Sequence, residues 1–203
     1  ILIYLEKIIH MHLEEVKICI YWATKSIFSI NISQQTRGLW NEFIKFLKNA
    51  RTGSEFKIEP IICFVNRDEL IIVPDNSAIK NEPDKIQLCD NKKWYNTRFI
   101  IKNEEKIIYS SDKSYLCVPS SIFHKGLFAR RWEHGDKMVS ATSKKHILIS
   151  NLFINNKLSK FNKLTQPIIV DNLDNIMWVP GLAHGLIEKK YKIKKSKIIK
   201  WIQ

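Results

Sequence analysis

The hydrophobic period of the chain changes at Thr52-Gly53, and that change constrains the fold more than any other feature of the sequence. Upstream, apolar residues recur at three- and four-residue steps; downstream they alternate or run together in short blocks bounded by turn residues. The first pattern lines one face of a helix and the second suits strands. A chain carrying both in separate blocks is expected to be α+β: an N-terminal helical segment, then a mixed β-rich region, then a small α/β C-terminal domain. The expected boundaries are 1–52, 53–118 and 119–203.

Within the first segment, the apolar steps from Tyr4 to about Ile30, with Glu6, Lys7, Glu14, Glu15 and Lys17 between them, predict one or two amphipathic helices; Ile18 to Trp22 also suits a strand. Ser33-Gln34-Gln35-Thr36 supplies a cap for a second helix, whose apolar face is Leu39, Trp40, Phe43, Ile44 and Leu47. His10 and His12 are two residues apart, which puts them on different helix faces and argues against shared metal ligation.

Past Gly53, Phe56 to Ile58, Ile61 to Val65 and Leu70 to Val73 read as strands separated by Pro60 and by Asn66-Arg67-Asp68. Residues 76–84 read as a polar loop, and Phe99 to Ile101 and Lys106 to Tyr109 as further strands. From Leu127 the expectation is a strand, a basic loop, a helix from about Lys145 to Asn155, strands at Ile168 to Val170 and Ile176 to Val179, and a turn at Pro180-Gly181. The tail from Glu188 to Gln203 holds seven lysines against one glutamate, and Tyr191 and Ile193 alternate with Lys192 and Lys194 as in a strand with one wet face.

A formal charge of +13 over 203 residues points to a polyanionic partner, because lysine and arginine clusters release the counterions condensed on a phosphate backbone. Acidic substrates and anionic membranes share that attraction, and heavy use of Ile, Lys and Asn is also what an AT-rich genome produces. Cys19, Cys63, Cys89 and Cys117 form no CxxC pair, so reduced thiols in a cytoplasmic protein are expected. The apolar start Ile1 to Leu5 is broken by Glu6 and Lys7, too early for a membrane span, and no membrane partner is expected. The chain starts without methionine, which suggests a fragment or a displaced start.

The segment Arg130-Arg131-Trp132-Glu133-His134-Gly135-Asp136 is followed by Lys144-Lys145, by Ser150-Asn151-Leu152-Phe153-Ile154, and by Ile176-Met177-Trp178-Val179-Pro180-Gly181. In that order these parts resemble the C-terminal domain of the tRNA(Ile)-lysidine synthase family. Residues 31–73, with the helix Leu39 to Leu47, then Arg51-Thr52-Gly53, Phe56 and Arg67 to Ile72, resemble that family's middle helical domain and its exit strands. The resemblance implies a parent enzyme that uses ATP and magnesium to adenylate the wobble cytidine of tRNA(Ile), whereupon free lysine displaces AMP. In the family this chemistry belongs to an N-terminal pyrophosphatase-loop domain with a Ser-Gly-Gly-x-Asp-Ser signature. Residues 1–203 contain no such motif, so no catalytic, cofactor-binding or metal-binding residue is expected among them.

The resemblance implies that this chain holds tRNA. The candidate tRNA-binding residues are Arg130, Arg131, Lys137, Lys144 and Lys145, and Gly135, Asp136 and Gly181 are expected to shape turns. Planar guanidiniums at Arg130 and Arg131 suit paired hydrogen bonds to phosphate; the alternative is that one of them turns inward and pairs with Asp136 or Glu133. Trp132, Phe153 and Trp178 have apolar neighbours that suit core packing. Where family members carry a proline, a Gly-Met pair, another glycine and a lysine doublet, this chain has Ser140, Thr142, Ser143, Lys145, Ile147 and Leu148, which predicts a looser loop over 140–146. Likewise Ala183 stands where the family often has arginine, leaving His184 as the nearest polar group. A stand-alone RNA-binding protein or a decayed remnant, without ligase activity, is the competing reading. A nuclease would need clustered carboxylates, whereas Asp171 and Asp174 share one turn and Asp136 lies elsewhere in the sequence.

Overall fold

The structure, a computed structural model, describes residues 1–75, 85–95, 97–105, 111–187 and 195–202. The expected loop at 76–84, the expected strand at 106–109 and the alternation at 191–194 lie outside the described residues. The fold is α+β, and it divides into two compact units: Ile1–Asn81 with Ser159–Phe161, and Glu82–Leu158 with Asn162–Gln203.

In the first unit a strand β1 (Leu2–Tyr4) leads into a short helix α1 (Leu5–Ile8), followed by α2 (Leu13–Phe28) and α3 (Arg37–Asn49). Residues Ile18 to Trp22 are helical. The start of α2 is fixed by the Glu15 carboxylate, which accepts the His12 backbone N–H at 2.7 Å, and its end by Ser29 in the left-handed region. Thr36 caps α3: its hydroxyl accepts the Leu39 N–H at 3.3 Å. Strands β2 (Glu55–Ile58), β3 (Ile61–Asn66) and β4 (Glu69–Pro74) form an antiparallel meander, and β1 joins its free edge, Leu2 opposite Ile71. Val16, Ile20, Trp40, Phe43 and Leu47 of the helices share one core with Ile58, Ile61, Cys63, Leu70 and Ile72 of the sheet. The helical segment and the three strands after Gly53 therefore bury their apolar faces against each other.

The second unit is built in layers. Strands β5 (Lys85–Gln87), β9 (Leu127–Arg130), β12 (Ile168–Asp171), β13 (Ile176–Val179) and β14 (Ala183–His184) form an antiparallel sheet in the order β14-β13-β12-β9-β5. A second antiparallel sheet has the order β6-β7-β15-β8, from β6 (Lys92–Trp94), β7 (Thr97–Glu104), β8 (Tyr115–Pro119) and β15 (Ser196–Ile202). Leu127, Ala129, Ile169, Met177 and Trp178 of the first sheet pack between the sheets against Trp94, Phe99, Leu116, Val118 and Ile199 of the second. The opposite face of the five-stranded sheet presents Phe128, Ile168, Val170, Ile176 and Val179 to Met138, Ile149 and Phe153. Its central strands are buried on both faces, which explains why β12 and β13 read as unbroken apolar runs rather than alternating ones. Each such aliphatic side chain contributes about 1.5–3 kcal/mol on full burial.

That second core is closed by helix α5 (Ile149–Asn155) and by a two-stranded hairpin, β10 (Lys137–Val139) with β11 (His146–Leu148). Short helices α4 (Ser120–Lys125) and α6 (Lys160–Thr165) lie elsewhere along the chain. The helix expected from Lys145 therefore starts four residues later. Residues 146–148 pair with β10, placing Ile147 opposite the buried Met138, so cross-strand pairing with a core contact prevails over a period that fits helix equally well. Trp178 and Phe153 are fully buried, and Trp132 packs edge-on against Phe153 at 5.4 Å, as their apolar neighbours predict. The pairing of Lys85 to Gln87 with Phe128 to Arg130 crosses position 119, joining the segments on either side of it in one sheet.

Candidate nucleic-acid interface

Arg130 ends β9 on the face turned toward the hairpin core, and it is 7% exposed. Its Nε donates to Asp174 Oδ1 at 3.2 Å and its Nη2 to Asp174 Oδ2 at 2.9 Å and to Asp136 Oδ1 at 2.9 Å. Its Nη1 donates to Asp136 Oδ2 at 3.0 Å and to the Arg131 carbonyl at 2.9 Å. The guanidinium has five N–H donors, and the protein occupies all of them. Arg130 is the inward member of the pair, and the phosphate contact expected of it has no donor left. Arg131 is half-buried, with its guanidinium 5.8 Å from the centre of the Tyr95 ring.

Asp136 also accepts the Glu133 N–H at 2.7 Å, closing the turn that contains Gly135 at φ +96°. Nothing crowds the Gly135 Cα, so glycine is needed there for its backbone freedom alone. Gly181 has φ +75° and donates its N–H to Lys113 O at 2.9 Å. Both glycines and Asp136 thus shape turns.

Burial acts to lower the ionisation of Arg130, but its bonds to Asp136 and Asp174 outweigh burial and hold the guanidinium more firmly protonated than usual. For Asp174, burial would raise the carboxyl; the hydrogen bonds from Arg130 and Lys85 prevail and hold it below its ordinary value. A carboxyl depressed in the folded state contributes stability that is present above its unfolded pKa, about 3.9, and lost as pH falls through the lower folded value. The urea midpoint is therefore expected to fall more in the parent chain than in Asp174→Asn as pH drops below about 4. The difference will be modest because the Asp174 side chain is 50% exposed. Equal falls in the two proteins would show that Asp174 contributes nothing.

The hairpin tip is held closely. The Ser140 hydroxyl accepts the N–H groups of Thr142 and Ser143 at 3.3 and 3.2 Å, and the Ser140 N–H donates to Lys145 O at 2.9 Å. Lys144 takes the left-handed conformation at φ 55° and returns its N–H to Ser140 O at 2.9 Å. Ala141 N–H donates to His184 O at 3.0 Å, and Leu186 N–H to Val139 O at 2.7 Å. Instead of the looser loop that the missing glycines and proline predict, a serine-centred turn ties residues 140–145 to the strand beside them.

Met138 and Ile147 face the core, so Lys137 and His146 face the other way. They line a groove of about 590 Å³ together with Lys125 of α4, the Asp171–Ile176 turn, Leu186 and Ile187. The groove's two carboxylates are committed internally: Asp174 to Arg130 and Lys85, and Asp171 to the backbone N–H groups of Leu173 and Asn175 at 2.9 Å. Lys125, Lys137 and His146, and the exposed Lys144 and Lys145 at the hairpin tip, make no ion pair with a described residue. The structure thus brings Lys137, Lys144 and Lys145 to one hairpin, with His146 next to them in β11, and adds Lys125 from α4, a separate segment that carries no motif. Among the described residues, no group of three His, Cys, Asp or Glu side chains is placed to hold a metal ion, and no helix is long and apolar enough to cross a membrane. The four cysteines are free thiols.

No protein-family model matches the chain, and no curated protein matches it. Among solved structures, it is similar to the crystal structure of the TILS C-terminal domain, at 21% identity and a TM-score of 0.47, over 52% of this chain and 83% of that one.

Proposed function

We propose that the second unit holds RNA, and specifically tRNA(Ile), as the recognition part of a lysidine synthase. The observation that carries the proposal is the basic hairpin: Lys137, Lys144 and Lys145, with Lys125 beside them, project from a core-anchored element, and the neighbouring Asp174 is paired with Arg130 and Lys85. Cations with no internal partner, on a backbone already ordered, gain counterion-release energy on meeting phosphate without a large ordering cost. The order of motifs in the sequence supports the choice of tRNA. ATP, magnesium and free lysine would be handled by a pyrophosphatase-loop domain, and recognition is the share of this chain.

The triple variant Lys137→Gln/Lys144→Gln/Lys145→Gln is expected to bind tRNA more weakly, with a log–log salt slope shallower by roughly 2 to 3, from about 0.7–0.9 for each phosphate contact removed. Filter binding of tRNA across a salt series measures this. A folded triple variant with the slope of the parent chain would take the hairpin out of the interface.

A further inference from the structure

The sheet β6-β7-β15-β8 lies across the sandwich from the hairpin, and its outer face has a composition of its own. Trp94, Phe99, Leu116, Val118 and Ile199 point inward and are buried. Side chains alternate along a strand, so the residues between them point away from the sandwich. Strand register sets these outward residues in rows. Lys93 stands opposite Arg98, and Arg98 opposite Ile202. In the next row Ile100 stands opposite Lys200, which in turn stands opposite Tyr115. Lys102 follows, opposite Ile198, with Cys117 beyond.

Lys93, Arg98, Lys102 and Lys200 are exposed and make no ion pair with a described residue. On the acidic side, Glu104 stands at one end of the face, Asp90 accepts the Ile101 N–H of β7 at 2.9 Å, and Asp112, which accepts the Ser114 N–H, is near enough to Lys200 to feel its charge. Here four cations are interleaved with Ile100, Ile198, Ile202 and the half-buried ring of Tyr115, so each row places a cation beside an apolar surface. That pairing matches a ligand with a regular negative charge and flat apolar faces at each repeat. Single-stranded nucleic acid has both, whereas a duplex keeps its base faces stacked inside.

We infer that this outer face binds single-stranded RNA, with Lys93, Arg98, Lys102 and Lys200 on phosphates and Tyr115 stacked on a base. The choice of RNA over DNA rests on the function proposed above; the choice of a single strand rests on the face itself. The surface is separate from the hairpin groove, because the five-stranded sheet lies between them.

The test is fluorescence anisotropy of the full chain with a labelled oligouridylate of about 12 nucleotides, within the usual site size for such surfaces. The variant Arg98→Gln/Lys102→Gln/Lys200→Gln should bind about tenfold more weakly at low salt, with a log–log slope shallower by about 2. Tyr115→Leu should weaken binding about fivefold or more and leave the slope unchanged. The hairpin triple variant should bind the oligomer as the parent does. The changed cations are all exposed, so the first variant is expected to keep the parent's unfolding midpoint and to report binding even if Tyr115→Leu unfolds. If the parent chain binds tRNA but not the oligomer, the inference is overturned and the hairpin proposal stands. If it binds the oligomer through this face but not tRNA, the inference holds and the hairpin proposal falls. Oligomer binding lost only in the hairpin variant overturns it, and so does binding of phosphatidylserine vesicles, but not RNA, through Arg98, Lys102 and Lys200.

Discussion

Replacing Asp136 by alanine is expected to destabilise the second unit by about 3–5 kcal/mol, the usual cost of removing one partner from a buried ion pair. The Arg130 and Asp136 side chains are only 8% and 11% exposed, so water cannot take over the role of the lost carboxylate. Asp174 remains, but its half-exposed position offers a weaker hold on the guanidinium. The substitution also frees the Glu133 N–H and loosens the turn from which the Asp136 carbonyl accepts the first N–H of α5, that of Ile149, at 3.0 Å. Urea unfolding, read by hydrogen exchange in peptides from 127–139 and 168–179, separates this loss from the stability of the first unit. Adding Arg130→Met to Asp136→Ala should recover part of it, because most of the cost is an uncompensated buried charge. A loss under about 1 kcal/mol in the single variant would mean that the pair behaves like a surface salt bridge.

This pair also marks how far the sequence could be read. Strand alternation and the nearness of Asp136 and Glu133 predict that one arginine turns inward onto a carboxylate, and Arg130 does so with Asp136, six residues away. Glu133 is exposed and contributes its backbone N–H instead. The second carboxylate, Asp174, is 44 residues away in a different turn, and no local pattern connects it to Arg130. Within the hairpin, Lys144 and Lys145 are visible as a basic pair, but the groove lined by Lys137 and His146 also draws on α4, the turn after β12 and the segment after β14. Side chains collected from distant segments leave no spacing to find.

The same division holds for the fold. Helix α3 is legible because a cap and an apolar face coincide, and β2 to β4 because turn residues separate their apolar blocks. β12 and β13 stand out because burial on both faces demands continuous apolar runs. Short strands such as β5 and β6 have polar residues at most positions, and β10 is only three residues long; all are held by their neighbours rather than by their own propensity. The insertion of β15 between β7 and β8 pairs Ile199 with Ile101 and Leu116, contacts that span most of the unit's sequence. Such pairing follows from burying Ile199 and Trp201 in the sandwich, a condition set by the whole unit and invisible in any one window.

Gly185→Ala is expected to cost about 3 kcal/mol, the upper end of the usual range for overpacking, and to weaken tRNA binding as well. A Cβ at this position would lie 2.2 Å from the carbonyl oxygen of Ile176 and 3.1 Å from Cα of Met177. Both obstacles belong to the backbone of β13, a strand fixed by pairing with β12, so no side chain can rotate away to make room. The 183–185 segment must instead retreat, which breaks the bond from Gly185 N–H to Met177 O at 2.8 Å and the bridge between Gly185 and Ser140. Ser140 opens the hairpin tip, so its displacement should move Lys144 and Lys145 along with it. Gly135→Ala provides the contrast: its φ of +96° imposes strain of about 1–2 kcal/mol, yet the added methyl meets nothing within 4 Å. Thermal unfolding and tRNA filter binding of the two variants distinguish steric from conformational cost. A Gly185→Ala chain as stable as the parent would show that β14 can shift freely and that the hairpin does not depend on its close approach to β13.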